Sequence, residues 1–260
     1  MHRTVTGKES TERKEVIQQM KKIIGRFVPQ NFDQCLDDLQ CLKIDTRENI
    51  ICLVDELYKK QAVENEDSSA ITAKLCAHIH SKEFYSSQRE LLTFESVLLK
   101  KCLTTLKTPL EKEIGSVRQH SFWKTFNGES RVRSLAENSV DKQMTKSKYH
   151  YYGNIRFISE LYLKDVITTR VICFCIEDLL TKEKGSYSLV LVCKILEKCG
   201  SKLEMIDKGK RMLNHSLKKL CQFSESLMIE PEIRLGILDL IEMRRKKWRL
   251  RKIQLSKVNK

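Results

Sequence analysis

The chain has 260 residues but only nine glycines and three prolines. A β-sandwich or barrel needs a turn about every 8–12 residues, so this scarcity of turn-forming residues excludes an all-β fold. Lys and Arg total 48 against 34 Asp and Glu, a net charge of +14. That charge favours acidic partners but does not specify a fold.

The excess positive charge is concentrated at the C-terminal end. Residues 244–260 hold nine of the fourteen excess charges and no acidic residue, which leaves +5 for residues 1–243. The main body of the chain therefore has an ordinary charge balance, and the C-terminal stretch accounts for most of the basic character.

The ten cysteines show no C-x-x-C spacing, which excludes zinc-ribbon and thioredoxin patterns. Most lie in apolar runs, which predicts buried, reduced thiols; disulfides are the second interpretation. The polar N-terminus lacks a signal-peptide core, and no apolar run is long enough to span a membrane. We expect a reducing compartment, cytoplasm or nucleus.

In the N-terminal half, apolar residues recur at helical spacing. Residues 1–11 are polar and are expected to be disordered, and a helix is predicted from Glu12. Pro29 should end this helix and begin the next. Either Asp45 or Thr46 is the expected N-cap of a third helix.

The middle of the chain carries a weaker apolar pattern. We expect a loop over residues 63–69 and helices around 70–80 and 88–105. Residues 107–150 are polar and contain both proline and glycine, which predicts a long, partly flexible insertion with a helix near residues 130–146.

From Asn154 onward, helix follows helix with short links. Gly185 and Gly200 fall between apolar runs and are expected to end helices. No strand pattern intervenes, so each helix pair must bury its apolar face on a neighbour, as in an α-solenoid. Residues 154–199 hold two such pairs, each close to the length of a HEAT repeat, so the fold predicted is an all-α solenoid.

The chain shows no enzyme motif. His78 and His80 are two residues apart, so on a helix they point to different faces and cannot easily bind one metal ion. Asp37 and Asp38 point apart in the same way. No glycine-rich phosphate loop or G-x-S-x-G turn is present. We therefore expect no catalytic residue, no metal and no cofactor.

The sequence RRKKWRLRK is the sharpest local feature. Its basic residues would neutralise phosphates while its tryptophan stacks on a base, which predicts an RNA-binding set. The members are Arg244, Arg245, Lys246, Lys247, Trp248, Arg249, Arg251 and Lys252. Nuclear import is an alternative. A third interpretation is a helix end whose cations complement its dipole and whose tryptophan packs on the domain.

Six blocks in order carry a family resemblance: IIGRFVPQNF (23–32), IDTRENI (44–50), FESVLLKKC (94–102), GNIRFISELYLKDVITTRVICFCIEDLL (153–180), LVLVCKILEKCGSKLE (189–204) and EIRLGILDLIEMRRKKW (232–248). Together they resemble the middle HEAT domain of eukaryotic translation initiation factor 4G. The resemblance covers residues 12–248 and includes the 107–150 insertion. Residues 249–260 form a separate basic tail.

The resemblance implies an α-solenoid of about five HEAT-like helix pairs that form a crescent and act as a scaffold. Such a scaffold binds the DEAD-box helicase initiation factor 4A and arranges its two lobes. It places a first helicase contact on Ile24, Phe27 and Phe32, although these side chains could equally be ordinary core residues. It places a second contact on Arg234 and Leu235. There the family's phenylalanine is replaced by leucine and its leading arginine by Glu232, which weakens that expectation.

No tyrosine is followed by leucine five residues later, so the family's motif for recruiting the cap-binding factor is not found. The function expected is a non-enzymatic scaffold that regulates translation in the cytoplasm, with RNA as an additional partner. The alternative is an RNA-binding or helicase-binding adaptor in nuclear mRNA processing or decay, with the basic tail directing import.

Overall fold

The computed structural model describes residues 7–44, 46–63, 66–81, 93–107, 139–181, 185–226 and 229–248. Within these ranges every regular element is helical and no β-strand occurs. The prediction of an all-α fold is confirmed. None of the described helices is both long and apolar enough to cross a membrane.

Ten α-helices occupy the described residues: α1 Gly7–Gly25, α2 Phe32–Gln40, α3 Arg47–Val63, α4 Glu66–Ser81, α5 Phe94–Lys107, α6 Ser139–Leu163, α7 Thr169–Thr181, α8 Gly185–Glu204, α9 Asp207–Ser224 and α10 Pro231–Arg245. A short 3₁₀ turn, Pro29–Asn31, joins α1 to α2. Pro29 opens this turn because its fixed φ suits a first helical position, where its missing N–H is not needed. The predicted break between the two helices is confirmed, but α1 already ends at Gly25, and Pro29 begins the 3₁₀ turn rather than α2.

Thr46 caps the N-terminus of α3. The backbone N–H of Asn49 donates to Thr46 Oγ1 at 3.2 Å, which satisfies one of the unpaired donors of the first turn. Of the two residues predicted as this cap, Thr46 is confirmed and Asp45 lies outside the described residues.

The chain divides into two compact units, residues 1–172 and 173–260. In the first unit, α3 packs against α1, α4, α5 and α6, and α6 also packs against α4 and α5. Leu53, Leu57 and Phe157 are fully buried there. Each such side chain stabilises the fold by about 1.5–3 kcal/mol relative to an exposed one.

Two hydrogen bonds tie α6 to backbone carbonyls of α5. Asn154 Nδ2 donates to the carbonyl of Cys102 at 2.9 Å, and Tyr151 Oη donates to the carbonyl of Leu106 at 2.9 Å. Both side chains are buried. Because a buried polar group without a partner is costly, these bonds favour one register of α6 on α5.

In the second unit, α8 packs against both α9 and α10, which also contact each other. Leu191, Ile195 and Leu203 of α8 are fully buried, as are Leu213 of α9 and Ile237 of α10. In this unit the helices that pack together follow one another in sequence, which is the relationship expected for an α-solenoid.

The cysteines behave as small core residues. All ten are free, and seven are buried. Burial raises the pKa of Cys175 and of Cys193 to about 12, because an apolar environment disfavours the thiolate. The prediction that most of the thiols are buried is confirmed.

Two helix starts lie earlier than the sequence pattern predicts. Helix α1 begins at Gly7, so residues 7–11 are helical rather than disordered; extending an existing helix by one turn is far easier than nucleating one. Helix α4 begins at Glu66, so most of the predicted loop at 63–69 is helical. Acidic residues such as Glu66 and Asp67 are favoured in a first turn.

Two further boundaries are corrected. Helix α6 runs without a break from Ser139, so the predicted insertion at 107–150 ends inside a helix, and residues 108–138 lie outside the described part of the chain. Gly200 does not end a helix but lies within α8. The reason is a close packing contact made at this glycine, described below.

Candidate protein-binding and RNA-binding surfaces

Ile24, Phe27 and Phe32 meet where α1 turns into α2. All three side chains are buried, and the Phe27 and Phe32 ring centroids are 6.0 Å apart at 53°. The structure therefore brings together the residues of the first predicted helicase contact, but it places them in the core of the first unit. Their burial supports the alternative interpretation that they are core residues.

Helix α4 holds Phe32 from the other side. The His78 ring packs edge-on at 5.3 Å and 71°, and Lys74 Nζ lies 4.2 Å from the Phe32 ring centroid. His78 Nδ1 also lies 2.9 Å from the carbonyl of Lys74. His78 thus has a packing role. In the part of the chain that the structure describes, no group of three or more His, Cys, Asp or Glu residues could hold a metal ion.

The outer surface at this corner is built by the 3₁₀ turn. Asn31 Oδ1 accepts from the backbone N–H of Val28 at 2.8 Å, while its Nδ2 donates to the carbonyl of Arg26 at 2.8 Å. Arg26 forms an ion pair with Asp38. The Val28 side chain is 43% exposed, so it is the apolar group that a partner would reach here.

The second predicted contact lies on α10. Arg234 Nη2 donates to the carbonyl of Ser226 at 2.9 Å, which ties α10 to the segment before it. Leu235 is 60% exposed, and Leu238, one turn further along the same face, is 50% exposed. The sequence prediction missed Leu238. Its spacing from Leu235, out of phase with the buried Ile233 and Ile237, was the available signal.

The basic cluster at the end of α10 is partly neutralised. Arg245 Nε donates to Glu242 Oε2 at 2.7 Å, and Lys246 Nζ lies 2.9 Å from Glu242 Oε1. Hydrogen bonds from Arg245 and Lys246 lower the pKa of Glu242 to about 2. Lys247 is exposed, and Arg249, Arg251 and Lys252 lie outside the described residues.

Arg244 points back to α8 and α9. Its Nη2 donates to Glu204 Oε1 at 2.9 Å and to Asn214 Oδ1 at 2.6 Å. Trp248 Nε1 donates to the other oxygen, Glu204 Oε2, at 2.6 Å. Partial burial raises the pKa of Glu204, but the bonds from Arg244 and Trp248 outweigh it and the pKa is lowered. We call Gly200, Glu204, Arg244 and Trp248 together the α8–α10 latch.

The Trp248 ring packs on Gly200. A β-carbon at Gly200 would lie 2.1 Å from Trp248 Cη2, so only glycine leaves room for the indole. Lys247 and Trp248 have φ angles of 54° and 59°. The Trp248 N–H donates to the carbonyl of Met243 at 2.9 Å, which closes the C-terminus of α10 in a Schellman-type turn. These contacts support the third interpretation of the cluster, in which the tryptophan packs on the domain.

Comparison with known proteins identifies the family. The MIF4G domain description matches residues 17–247. The chain is 28% identical over 257 residues to eukaryotic translation initiation factor 4G of Triticum aestivum, and 22% identical over 243 residues to eukaryotic translation initiation factor 4 gamma 3 of Mus musculus. These alignments take in 95% and 92% of this chain but only 16% and 15% of the two relatives.

A solved structure shares the fold. It is the MIF4G domain of the Trypanosoma cruzi translation initiation factor EIF4G5, with a TM-score of 0.53 and 16% identity, over 90% of this chain and 97% of that one. The resemblance noted in the sequence is confirmed. With nearly the whole chain matched, from the first helix to the end of α10, the protein belongs to the MIF4G domain family.

Proposed function

We propose that this chain is a non-enzymatic scaffold of the translation initiation machinery that binds a DEAD-box RNA helicase of the initiation factor 4A type. The observation that carries the proposal is the MIF4G match over residues 17–247, together with relatives that are named initiation factor 4G. A shared fold alone does not fix a partner. The contact surfaces are therefore argued separately.

The first contact is proposed at the turn between α1 and α2. The buried rings of Phe27 and Phe32 make a rigid base, and Asn31 holds the turn above it through two hydrogen bonds. The exposed Val28 would be the apolar anchor, with Arg26 beside it. The three predicted residues Ile24, Phe27 and Phe32 would then act by supporting this surface.

The second contact is proposed on α10. Leu235 and Leu238 expose apolar surface on one face of the helix. Two neighbouring exposed leucines can fill a partner pocket, and such anchors carry most of the energy of many interfaces. Arg234 would position this face through its bond to the carbonyl of Ser226.

Calorimetric titration with a purified helicase of this type tests both contacts. We expect Val28→Asp, and separately Leu235→Asp with Leu238→Asp, to weaken binding by about tenfold or more, since burying an unpaired carboxylate costs more than about 1.4 kcal/mol. Met205→Asp is the matched control, because Met205 is 85% exposed and lies outside both surfaces.

These measurements test the identity of the partner and the location of the two contacts separately. If the unmodified chain does not bind the helicase, the partner is wrong. If it binds and the substitutions act no more strongly than Met205→Asp, the partner stands but the two surfaces are wrong. Circular dichroism of each variant confirms that it is folded.

RNA binding by the basic tail is a second candidate, favoured by the cations at Lys247, Arg249, Arg251 and Lys252. Deleting residues 249–260 leaves the α8–α10 latch in place and should reduce salt-dependent RNA binding. A tail that instead directs nuclear import would support the alternative function, an adaptor in nuclear mRNA processing or decay.

The proposed location is the cytoplasm. Identifying the helicase that co-purifies with the chain from cytoplasmic and from nuclear extracts distinguishes the translation scaffold from the nuclear adaptor.

A further inference from the structure

Helix α9 presents a continuous polar stripe away from the core of the second unit. The stripe steps by three and four residues and consists of Lys208, Arg211, His215, Lys218 and Gln222, all exposed. The opposite face buries Leu213, Leu217 and Leu220 against the rest of the unit. Because the leucine face is buried, the polar stripe of α9 faces the solvent.

The side chains of the three cations in the stripe, Lys208, Arg211 and Lys218, form no ion pair or hydrogen bond with any other described residue. Their helix contains five cations in all and a single acid, Asp207. Like charges at these spacings destabilise a helix. The stripe therefore does not serve stability, and its charge remains available to a ligand.

The cations at the end of α10 differ from those of α9 because they have acidic partners. Arg244 is held by Glu204, and Arg245 and Lys246 are held by Glu242. The cations that are prominent in the sequence are thus largely compensated among the described residues, whereas those of α9 are not. Helix α9 therefore offers a row of exposed positive charge with no acidic partner among the described residues.

The chemistry of the stripe suits a phosphate backbone better than an acidic peptide. From Lys208 to Lys218 the row spans about 15 Å at 1.5 Å per residue, a linear array for a linear polyanion. It contains no apolar residue, whereas a docked helical peptide needs apolar anchors. His215 and Gln222 can donate hydrogen bonds to phosphate or sugar. Phe223, the residue after Gln222, is 40% exposed and offers a ring on which a base can stack.

We propose that the outward face of α9 is a sequence-independent RNA-binding site in which Lys208, Arg211 and Lys218 contact phosphates. This site is separate from the basic tail and from the two proposed helicase contacts. It stands whether or not the helicase proposal is correct.

The test is fluorescence anisotropy of the full chain with a labelled oligouridine of about 20 nucleotides, at several KCl concentrations. The variant carries Lys208→Gln, Arg211→Gln and Lys218→Gln. The matched control carries Lys21→Gln, Lys22→Gln and Lys100→Gln, which removes the same charge from exposed positions of α1 and α5. Glutamine is a good helix former, so both variants should fold.

We expect the α9 variant to bind about 10- to 100-fold more weakly, with the slope of log affinity against log salt reduced by about 2, because each single-strand phosphate contact accounts for about 0.7. The control should change the slope little. Helicase binding by the α9 variant, measured by calorimetry, should equal that of the unmodified chain.

Three results would overturn the proposal. The first is equal loss of RNA affinity in the α9 variant and the control, which would indicate a diffuse charge effect. The second is an unchanged α9 variant together with complete loss on deleting residues 249–260, which would place the site in the tail. The third is competition by polyglutamate as effective as that by unlabelled RNA, which would identify an acidic protein as the ligand.

Discussion

The indole ring of Trp248 lies against the α-carbon of Gly200, so close that a β-carbon there would be 2.1 Å from Trp248 Cη2. Trp248 is held in this position with a φ of 59°, which is unfavourable for a bulky residue. The packing on Gly200 and the bond to Glu204 must therefore outweigh the backbone strain.

Gly200→Ala should displace the indole and destabilise the second unit by about 1–3 kcal/mol, because the added methyl group cannot share the space. In a Trp123→Phe background, the emission of Trp248 should shift to the red as the ring becomes hydrated. Gly25→Ala is the control: nothing lies within 4 Å of its added carbon, and it should stabilise α1 by about 0.4–1 kcal/mol. Equal melting temperatures for the two variants would contradict the packing.

Glu204→Gln should destabilise the chain by about 1–2 kcal/mol, since Glu204 accepts bonds from both Arg244 and Trp248. The folded-state pKa of Glu204 is lowered below its ordinary 4.5. The contribution of the ionised Glu204 to the free energy of unfolding is therefore present above pH 4.5 and is lost as the pH falls through the folded-state pKa. Urea unfolding between neutral and acid pH should show a smaller acid loss in Glu204→Gln; an identical loss would mean that the latch carboxylate does not titrate with folding.

Glu242→Gln should increase RNA affinity if Arg245 and Lys246 contact phosphates, because both cations lose their shared partner. Glu197→Gln is the matched control, since it breaks a comparable pair with Lys194 on α8. Anisotropy with single-stranded RNA should show tighter binding for Glu242→Gln alone. If Glu242→Gln and Glu197→Gln bind RNA with the same affinity, Arg245 and Lys246 do not contact the RNA.

Thiol labelling should follow burial. Cys41 is exposed and should react first with an alkylating reagent in the native chain, followed by the half-buried Cys52 and Cys221. Cys175 and Cys193 should stay unmodified at neutral pH, because their pKa values of about 12 leave almost no thiolate. Mass spectrometry of tryptic peptides measures each site. Early modification of Cys175 would show that the unit opens readily in its native state.

The helical fold was readable from the sequence because apolar spacing and the scarcity of breakers are local signals. The assignment of Gly200 to a helix end failed because glycine also serves close packing. The residue that needs the space, Trp248, lies far along the chain, and no local pattern connects the two positions.

The candidate site was only partly readable. The basic cluster looks continuous in sequence, yet Arg244 is compensated by Glu204, which three-dimensional packing brings to it. The Glu242 pairs were visible as spacings of three and four residues. The α9 stripe was also visible at helical spacing. Only the structure shows that its cations are exposed without an acidic partner, whereas Arg245 and Lys246 are exposed but paired with Glu242.

Asn31 clamps the turn before α2 by bonding to Val28 on one side and to Arg26 on the other. Any protein that docks on Val28 therefore meets a segment whose conformation is already fixed, and association need not spend entropy on ordering it. Asn31→Ala would leave the side chains of Val28 and Arg26 unchanged while removing both hydrogen bonds that hold the turn. An affinity loss in this variant should then appear as a less favourable binding entropy rather than as a smaller enthalpy.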